Sequence, residues 1–147
     1  MILRPVISLP LLLLLGACAN VPMASPQQDA EAKRFESPPS DSGAVYIYRQ
    51  GWFGVARPLG VAIAGGVQAE LASNTYLRLE GPPGPIDIDC RIGDKTDRRE
   101  VEVVAGQTRY VEVAMRVGLL APSCEVAEVS ADQGQSAVRS SKRVTPQ

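Results

Sequence analysis

Ile86-Asp87-Ile88-Asp89-Cys90-Arg91-Ile92 is the stretch whose reading decides the fold class. Apolar and charged side chains alternate through it, the period-two pattern of a strand with one buried face. Cys90 falls on the inward side. Downstream, Gly93-Asp94-Lys95 turns the chain, and Val101 and Val103 alternate with Glu100 and Glu102. After Gly106-Gln107, Val111 and Val113 alternate with Tyr110 and Glu112. A last strand spans about Glu125 to Ser130, following Pro122 and Cys124. Upstream, Gly81-Pro82-Pro83-Gly84-Pro85 reads as a rigid connecting loop, neither helix nor paired strand. Thr75 to Glu80 makes a strand after the turn pair Ser73-Asn74. Leu59 to Ala64 and Val67 to Leu71 flank Gly65-Gly66, a hairpin signal. Ala44-Val45-Tyr46-Ile47-Tyr48 is strand by composition. Short strands with Gly and Pro punctuation, eight by this reading, predict an all-β domain over residues 43–130, a small antiparallel β-sandwich or partly open barrel. No segment after residue 36 has a convincing helical period. Residues 131–147 are Ser- and Gln-rich and are expected to be a disordered, mildly basic tail, with Arg139, Lys142 and Arg143.

The amino terminus locates the protein. Arg4 precedes an apolar run from Val6 that includes Leu11 to Leu15. A span staying in the bilayer needs roughly 20 apolar residues, and this run is shorter, as in a cleaved export signal. Leu15-Gly16-Ala17-Cys18 resembles the lipobox of bacterial lipoproteins. The resemblance implies removal of residues 1–17, a diacylglyceryl thioether on Cys18 and a third acyl chain on the new amino terminus. Two or more acyl chains hold a protein firmly to a membrane. Ala19 looks like the common outer-membrane sorting signal, with the domain facing the periplasm. Ala17-Cys18-Ala19 also fits an ordinary A-x-A cleavage, which would release a soluble chain starting at Asn20.

Residues 18–147 amount to one small domain plus tails. Arg4 is the one charge before Cys18, so this part holds 14 basic and 16 acidic side chains and a formal charge of −2. With no basic excess, nucleic acid is excluded as an expected partner. With Cys18 lipidated, Cys90 and Cys124 form an even count in an exported protein, and a disulfide between them is expected, against two separate buried thiols. It would close a loop of about 35 residues, a stabilisation of about 4 kcal/mol in the chain-entropy model. The chain has no histidine, which excludes Ser-His-Asp and Cys-His catalysis and His-containing zinc sites. No cofactor or metal is expected.

Residues 18–42 read as a lipidated amino terminus and flexible tether punctuated by Pro22, Pro26, Pro38 and Pro39. One short helix lies inside it, with Ser25 as N-cap, Pro26 at its first position and Gln28 completing a capping box. Lys33 and Arg34 suit its negative end, and Pro38-Pro39 stop it. If wholly flexible, the tether would span roughly 25 to 30 Å and lift the domain clear of the headgroups.

Several pieces occur in a set order: Asp29 to Phe35, Val45-Tyr46-Ile47-Tyr48-Arg49, Gly51-Trp52-Phe53-Gly54, Arg57-Pro58-Leu59, Asn74 to Arg78, Pro82-Pro83-Gly84 and Gly106 to Val111. The series resembles the bacterial lipoprotein family built on domain of unknown function 2846, over roughly residues 29 to 130. The resemblance implies a small β-sandwich, carboxypeptidase-regulatory-like or immunoglobulin-like, with no established activity. The Cys90–Cys124 pair departs from that pattern.

Trp52 and Phe53, in a Gly-flanked loop beside Arg49 and Arg57, are the candidate binding patch. Aromatic rings next to arginines stack on sugars or anchor partners; alternatively they cap one end of the sandwich as core. Asp87 and Asp89 sit about 7 Å apart on one strand face, where Arg91 would neutralise them, and read as a solvated face rather than a catalytic or calcium pair. Glu100 and Glu102, with Arg98 and Arg99, read as cross-strand ion pairs. Gly81 to Pro85 opens no helix and is no phosphate cradle. Tyr46, Tyr48, Tyr76 and Tyr110 read as packing on one sheet face with their hydroxyls at the rim. No carboxylate-based or Ser/Lys motif is visible. The expectation is a non-catalytic outer-membrane lipoprotein that displays loops to an envelope protein or glycan.

Overall fold

All seven residues of the first strand, β1 (Gly43–Arg49), are buried, which a two-layer sandwich with one wet face per sheet does not produce. The computed structural model describes residues 20–54 and 56–147; Cys18 and the residues before it lie outside them. Seven more strands follow: β2 (Leu59–Ile63), β3 (Val67–Leu71), β4 (Thr75–Gly81), β5 (Gly84–Ile92), β6 (Lys95–Val103), β7 (Thr108–Arg116) and β8 (Ser123–Val129). A short β9 (Lys142–Arg143) completes a five-stranded sheet ordered β8-β7-β1-β4-β9, facing a four-stranded sheet ordered β3-β2-β5-β6. The domain is all-β and sandwich-like, as the alternation predicts. Val45, Ile47, Leu77, Val111 and Val113 of the first sheet meet Leu59, Val61, Leu71, Ile88 and Val101 of the second in one apolar core.

Five expectations are corrected. The larger sheet is mixed, because β1 runs parallel to β7, with Ile47 opposite Val111, and β4 runs parallel to β9. Gly81 to Pro85 is mostly paired: Gly81 sits opposite Gly43, and Gly84 and Pro85 sit opposite Val103 and Glu102, which leaves Pro82-Pro83 as the connection.

The tail is ordered. Residues 131–147 hold helix α2 (Ala131–Arg139) and β9. The segment expected to be a flexible tether is docked from Val21 onward, and contains helix α1 (Pro26–Ala32). One physical cause underlies both corrections. Tyr46, Tyr48, Tyr76 and Tyr110 crowd the outer face of the five-stranded sheet, and Ala32, Phe35, Ala137 and Val138 bury them. A row of large rings on a sheet face is apolar area that must be covered. The rings of Tyr46 and Tyr110 stack at 5.3 Å, and Phe35 lies 5.7 Å from Tyr46. Phe35 adopts φ 53, a left-handed backbone unusual for an aromatic residue.

The capping box forms as expected: Gln28 N donates to Ser25 Oγ at 3.2 Å, and Ser25 N donates to Gln28 Oε1 at 3.0 Å. Asp29 locks α1 down. Its carboxylate accepts from Lys33 Nζ (2.8 Å), Tyr76 OH (2.8 Å) and Arg143 N (3.0 Å). Burial works to raise its pKa, and these donors more than offset that, holding it below the usual carboxylate value. The tyrosine hydroxyls are partly internal rather than at a wet rim: Tyr46 OH donates to Ala32 O at 2.6 Å. Burial, with Glu112 nearby, pushes the Tyr48 hydroxyl up to about 12.

Candidate functional site

Parallel β1 and β7 end at the same edge of the molecule, and antiparallel β4 begins there. The loops 50–58, 72–74 and 117–122 are therefore gathered at one end of the sandwich. Arg49 builds the first of them. It is 1% exposed, and its guanidinium donates to the carbonyls of Arg57 (2.8 Å), Leu71 (2.9 Å), Gly54 (2.9 Å) and Phe53 (3.2 Å). No carboxylate pairs with it among the described residues. Burial lowers its pKa from the ordinary value, yet a guanidinium stays charged in proteins. A buried cation is tolerable when its donors are satisfied, and here backbone carbonyls do that. Arg49 is thus removed from the candidate binding surface and becomes the loop's internal scaffold.

Gly54 makes the loop's close approach to β7. Its φ is 69, and a Cβ there would lie 2.3 Å from Met115 Sδ. Both the conformation and the space demand glycine. The loop is thereby pressed against the end of β7, and Phe53 lines one groove with Val117 to Pro122.

The structure turns Trp52 outward, 83% exposed, with Phe53 half-exposed beside it, their rings edge to face at 6.3 Å. The alternative of a core cap is overturned, because neither ring is buried. Arg57 is exposed. Leu119 and Leu120, fully exposed, and Val117, 79% exposed, extend the apolar surface. Sequence reasoning missed these three. The signal was present: Val117-Gly118-Leu119-Leu120-Ala121-Pro122 is an uncharged apolar run where a turn would ordinarily be polar.

The other candidates are placed as follows. Cys90 on β5 and Cys124 on β8 are disulfide-bonded and join the two sheets. Asp89 pairs with Arg98 through two contacts, Nε–Oδ1 at 2.6 Å and Nη2–Oδ2 at 2.7 Å, and Arg98 Nη1 lies 3.7 Å from Asp87. The neutralising cation is therefore Arg98 across the strands rather than Arg91 on the same strand. Arg98 donation holds the Asp89 carboxyl below its usual value. This is a solvated ion-paired face, of little energetic weight. Glu100 sits opposite Asp87 in the register and Glu102 opposite Pro85, both on the exposed side. Among the described residues no group of three or more Cys, Asp or Glu side chains is placed to hold a metal ion.

The described chain begins at Asn20, which lines a groove with Ala72, Ser73, Asn74 and Lys142. The Ser73 hydroxyl donates to the Gly51 carbonyl. The amino-terminal entry to the domain and the Trp52 loop are thus joined through one turn.

The chain is 26% identical over 126 residues to an uncharacterized protein of Haemophilus influenzae, a match that covers 86% of this chain and 75% of that protein. No family model and no solved structure matches the chain.

Proposed function

We propose that this chain is a non-catalytic lipoprotein of a bacterial envelope, anchored through Cys18 at the outer membrane with its domain in the periplasm, where the sandwich serves as a binding or scaffolding module. Leu15-Gly16-Ala17-Cys18, directly after the apolar run, carries the reading. The Cys90–Cys124 disulfide supports it, since such bridges persist in oxidising compartments. The motif series from Asp29 to Val111, similar to the family built on domain of unknown function 2846, points the same way. Mass spectrometry of protein isolated from envelopes should find residues 1–17 absent and acyl chains on Cys18. A terminus at Asn20, or a retained leader in the soluble fraction, refutes the proposal.

A second reading is favoured by the exposure of the indole: a glycan-binding module centred on Trp52, with Phe53 and Arg57. Arg49 is committed to loop carbonyls, so Arg57 is the cation in that loop available to a sugar hydroxyl. Titration of Trp52 fluorescence with peptidoglycan fragments tests it. An unchanged signal at millimolar ligand eliminates it.

A further inference from the structure

We infer that the end of the sandwich bearing Trp52, Phe53, Leu119 and Leu120 lies in the membrane surface, with these side chains in the headgroup–acyl boundary beside the anchor. The inference rests on the lipoprotein reading above and adds an orientation to it.

The length of free chain is the first argument. Twenty-odd flexible residues would leave the domain free to tumble, but residues from Val21 onward are docked on the sandwich. Cys18 precedes Asn20 by two residues, a reach of at most about 7 Å. Asn20 shares its groove with Ser73, and Ser73 holds Gly51, the neighbour of Trp52. An anchor at Cys18 therefore brings the bilayer to this end.

The second argument is the chemistry of that end. Leu119 and Leu120 stand fully in water, and Trp52 nearly so. Contiguous exposed apolar side chains mark an interface. Loops 50–58, 72–74 and 117–122 contain no acidic residue and one cation, Arg57, suited to lipid phosphate. The fourth turn at this end, Gly93-Asp94, is followed directly by Lys95 and adds no net charge. Tryptophan favours the headgroup level, where its ring is half apolar and its N–H is wet. A glycan or protein hot spot needs polar groups around its rings, and the groove beside Phe53 is lined by Val117, Gly118, Leu119, Leu120, Ala121 and Pro122.

Trp52 is the one tryptophan of the chain, so its emission reports on this site alone. The test uses the acylated protein, its Cys18 modification verified by mass spectrometry. It is reconstituted into phosphatidylethanolamine–phosphatidylglycerol vesicles with or without brominated acyl chains. Bromine should quench Trp52 several-fold, and emission should move to shorter wavelength. L119S/L120S should keep its acylation and its melting temperature, because neither side chain is buried, yet lose most of the quenching. Each leucine contributes about tenfold to partitioning, so the double variant loses roughly a hundredfold. An acylated, vesicle-bound protein whose Trp52 stays open to acrylamide and unquenched by bromine overturns the orientation while leaving the anchor intact. So does shielding of Trp52 that appears only when an envelope protein is added. An unacylated Cys18 overturns the lipoprotein reading and the orientation with it.

Discussion

Gly134→Ala should destabilise this protein, although the same change in an exposed helix would stabilise it. Gly134 lies in α2, where glycine costs about 1 kcal/mol relative to alanine. Propensity alone therefore predicts a gain of that size. The packing predicts the opposite. A Cβ at this position would lie 2.3 Å from both Cβ and Cγ of Tyr110 and 2.5 Å from its Cδ1. Tyr110 Cβ is fixed by β7, an interior strand paired on both sides, so the ring cannot simply rotate away. The helix must rise by an ångström or more, loosening Ala137 and Val138 from the tyrosine row. Overpacking costs about 1–3 kcal/mol, and the rigidity of the strand places this case near 3. Setting that against the propensity gain leaves a net loss of about 2 kcal/mol, or near 8 °C in Tm for a domain of this size. Ser136→Ala, on the exposed side of α2, is the control, and should give a small increase. Thermal melting followed by circular dichroism measures both, and proteolysis in residues 131–147 shows whether the helix lifts. A Gly134→Ala variant that melts higher, in step with Ser136→Ala, would refute the argument that α2 is clamped on Tyr110.

Arg49→Met should cost at least about 3 kcal/mol, because it strips donors from four carbonyls at a buried site. Arg49→Lys should not restore the loop, since an ammonium cannot fork to both sides; rising mobility in Trp52 fluorescence anisotropy is the readout, and an unchanged value sinks the scaffold role. Replacing Cys90 and Cys124 together by alanine should lower stability by about 4 kcal/mol in urea unfolding, from the entropy of the opened loop; a loss well under that would show the bridge to be dispensable. Asp29 gives a pH dependence. Its folded pKa is depressed, so its contribution is full above the ordinary carboxylate value near about 4 and is lost as pH falls through the folded value. Hydrogen exchange in residues 21–35 should therefore rise selectively in acid, and Asp29→Asn should flatten that profile.

The strands were legible because one rule governs them. Each of Ile86 to Ile92, Val101 to Val103 and Val111 to Val113 faces the core with alternate residues, and period two reports that directly. β1 broke the rule in an informative way. Tyr46 and Tyr48 read as an outer face with wet hydroxyls, but a sheet covered on both sides has no wet face. What covers them could not be seen by hydrophobicity. The inner stripe of α2 is Gly134, Ala137 and Val138, small residues whose virtue is close approach rather than apolar area. A cue existed all the same: Ser130-Ala131-Asp132-Gln133 repeats the Ser-x-x-Gln spacing that marked α1 at Ser25 and Gln28. At the candidate site, residue type singles out Trp52 and Phe53, which the structure exposes, while proximity alone groups with them Arg49, which the structure buries. Sequence adjacency cannot tell a guanidinium that points outward from one that turns back under its own loop.

The arm and the tail hold each other, and this sets an order of events. β9 lies between β4 and the arm, with Met23 paired to Val144 and Ala24 N donating to Arg143 O at 3.0 Å. Lys33 Nζ reaches the Ser141 carbonyl at 2.5 Å. Residues 21–24 therefore lack their pairing partners until residues 142–145 are in place, whereas Ala32, Phe35 and Asp29 also rest on Tyr46 and Tyr76. Were the chain exported and anchored as proposed, the start of the arm would be slack while the sandwich folds, with the reach of a flexible tether. Docking of residues 142–145 then takes up that slack and leaves Ala19 and Asn20 between Cys18 and the buried Val21. A chain truncated before Lys142 should keep the disulfide, the inter-sheet core and the packing of Ala32 and Phe35 but free residues 20–25, so that the domain stands off from the membrane on a longer free segment. Trp52 in the acylated truncated protein would then stay in water. If it were quenched by brominated lipid as strongly as in the full chain, the interlocked termini would not be what sets the domain against the bilayer.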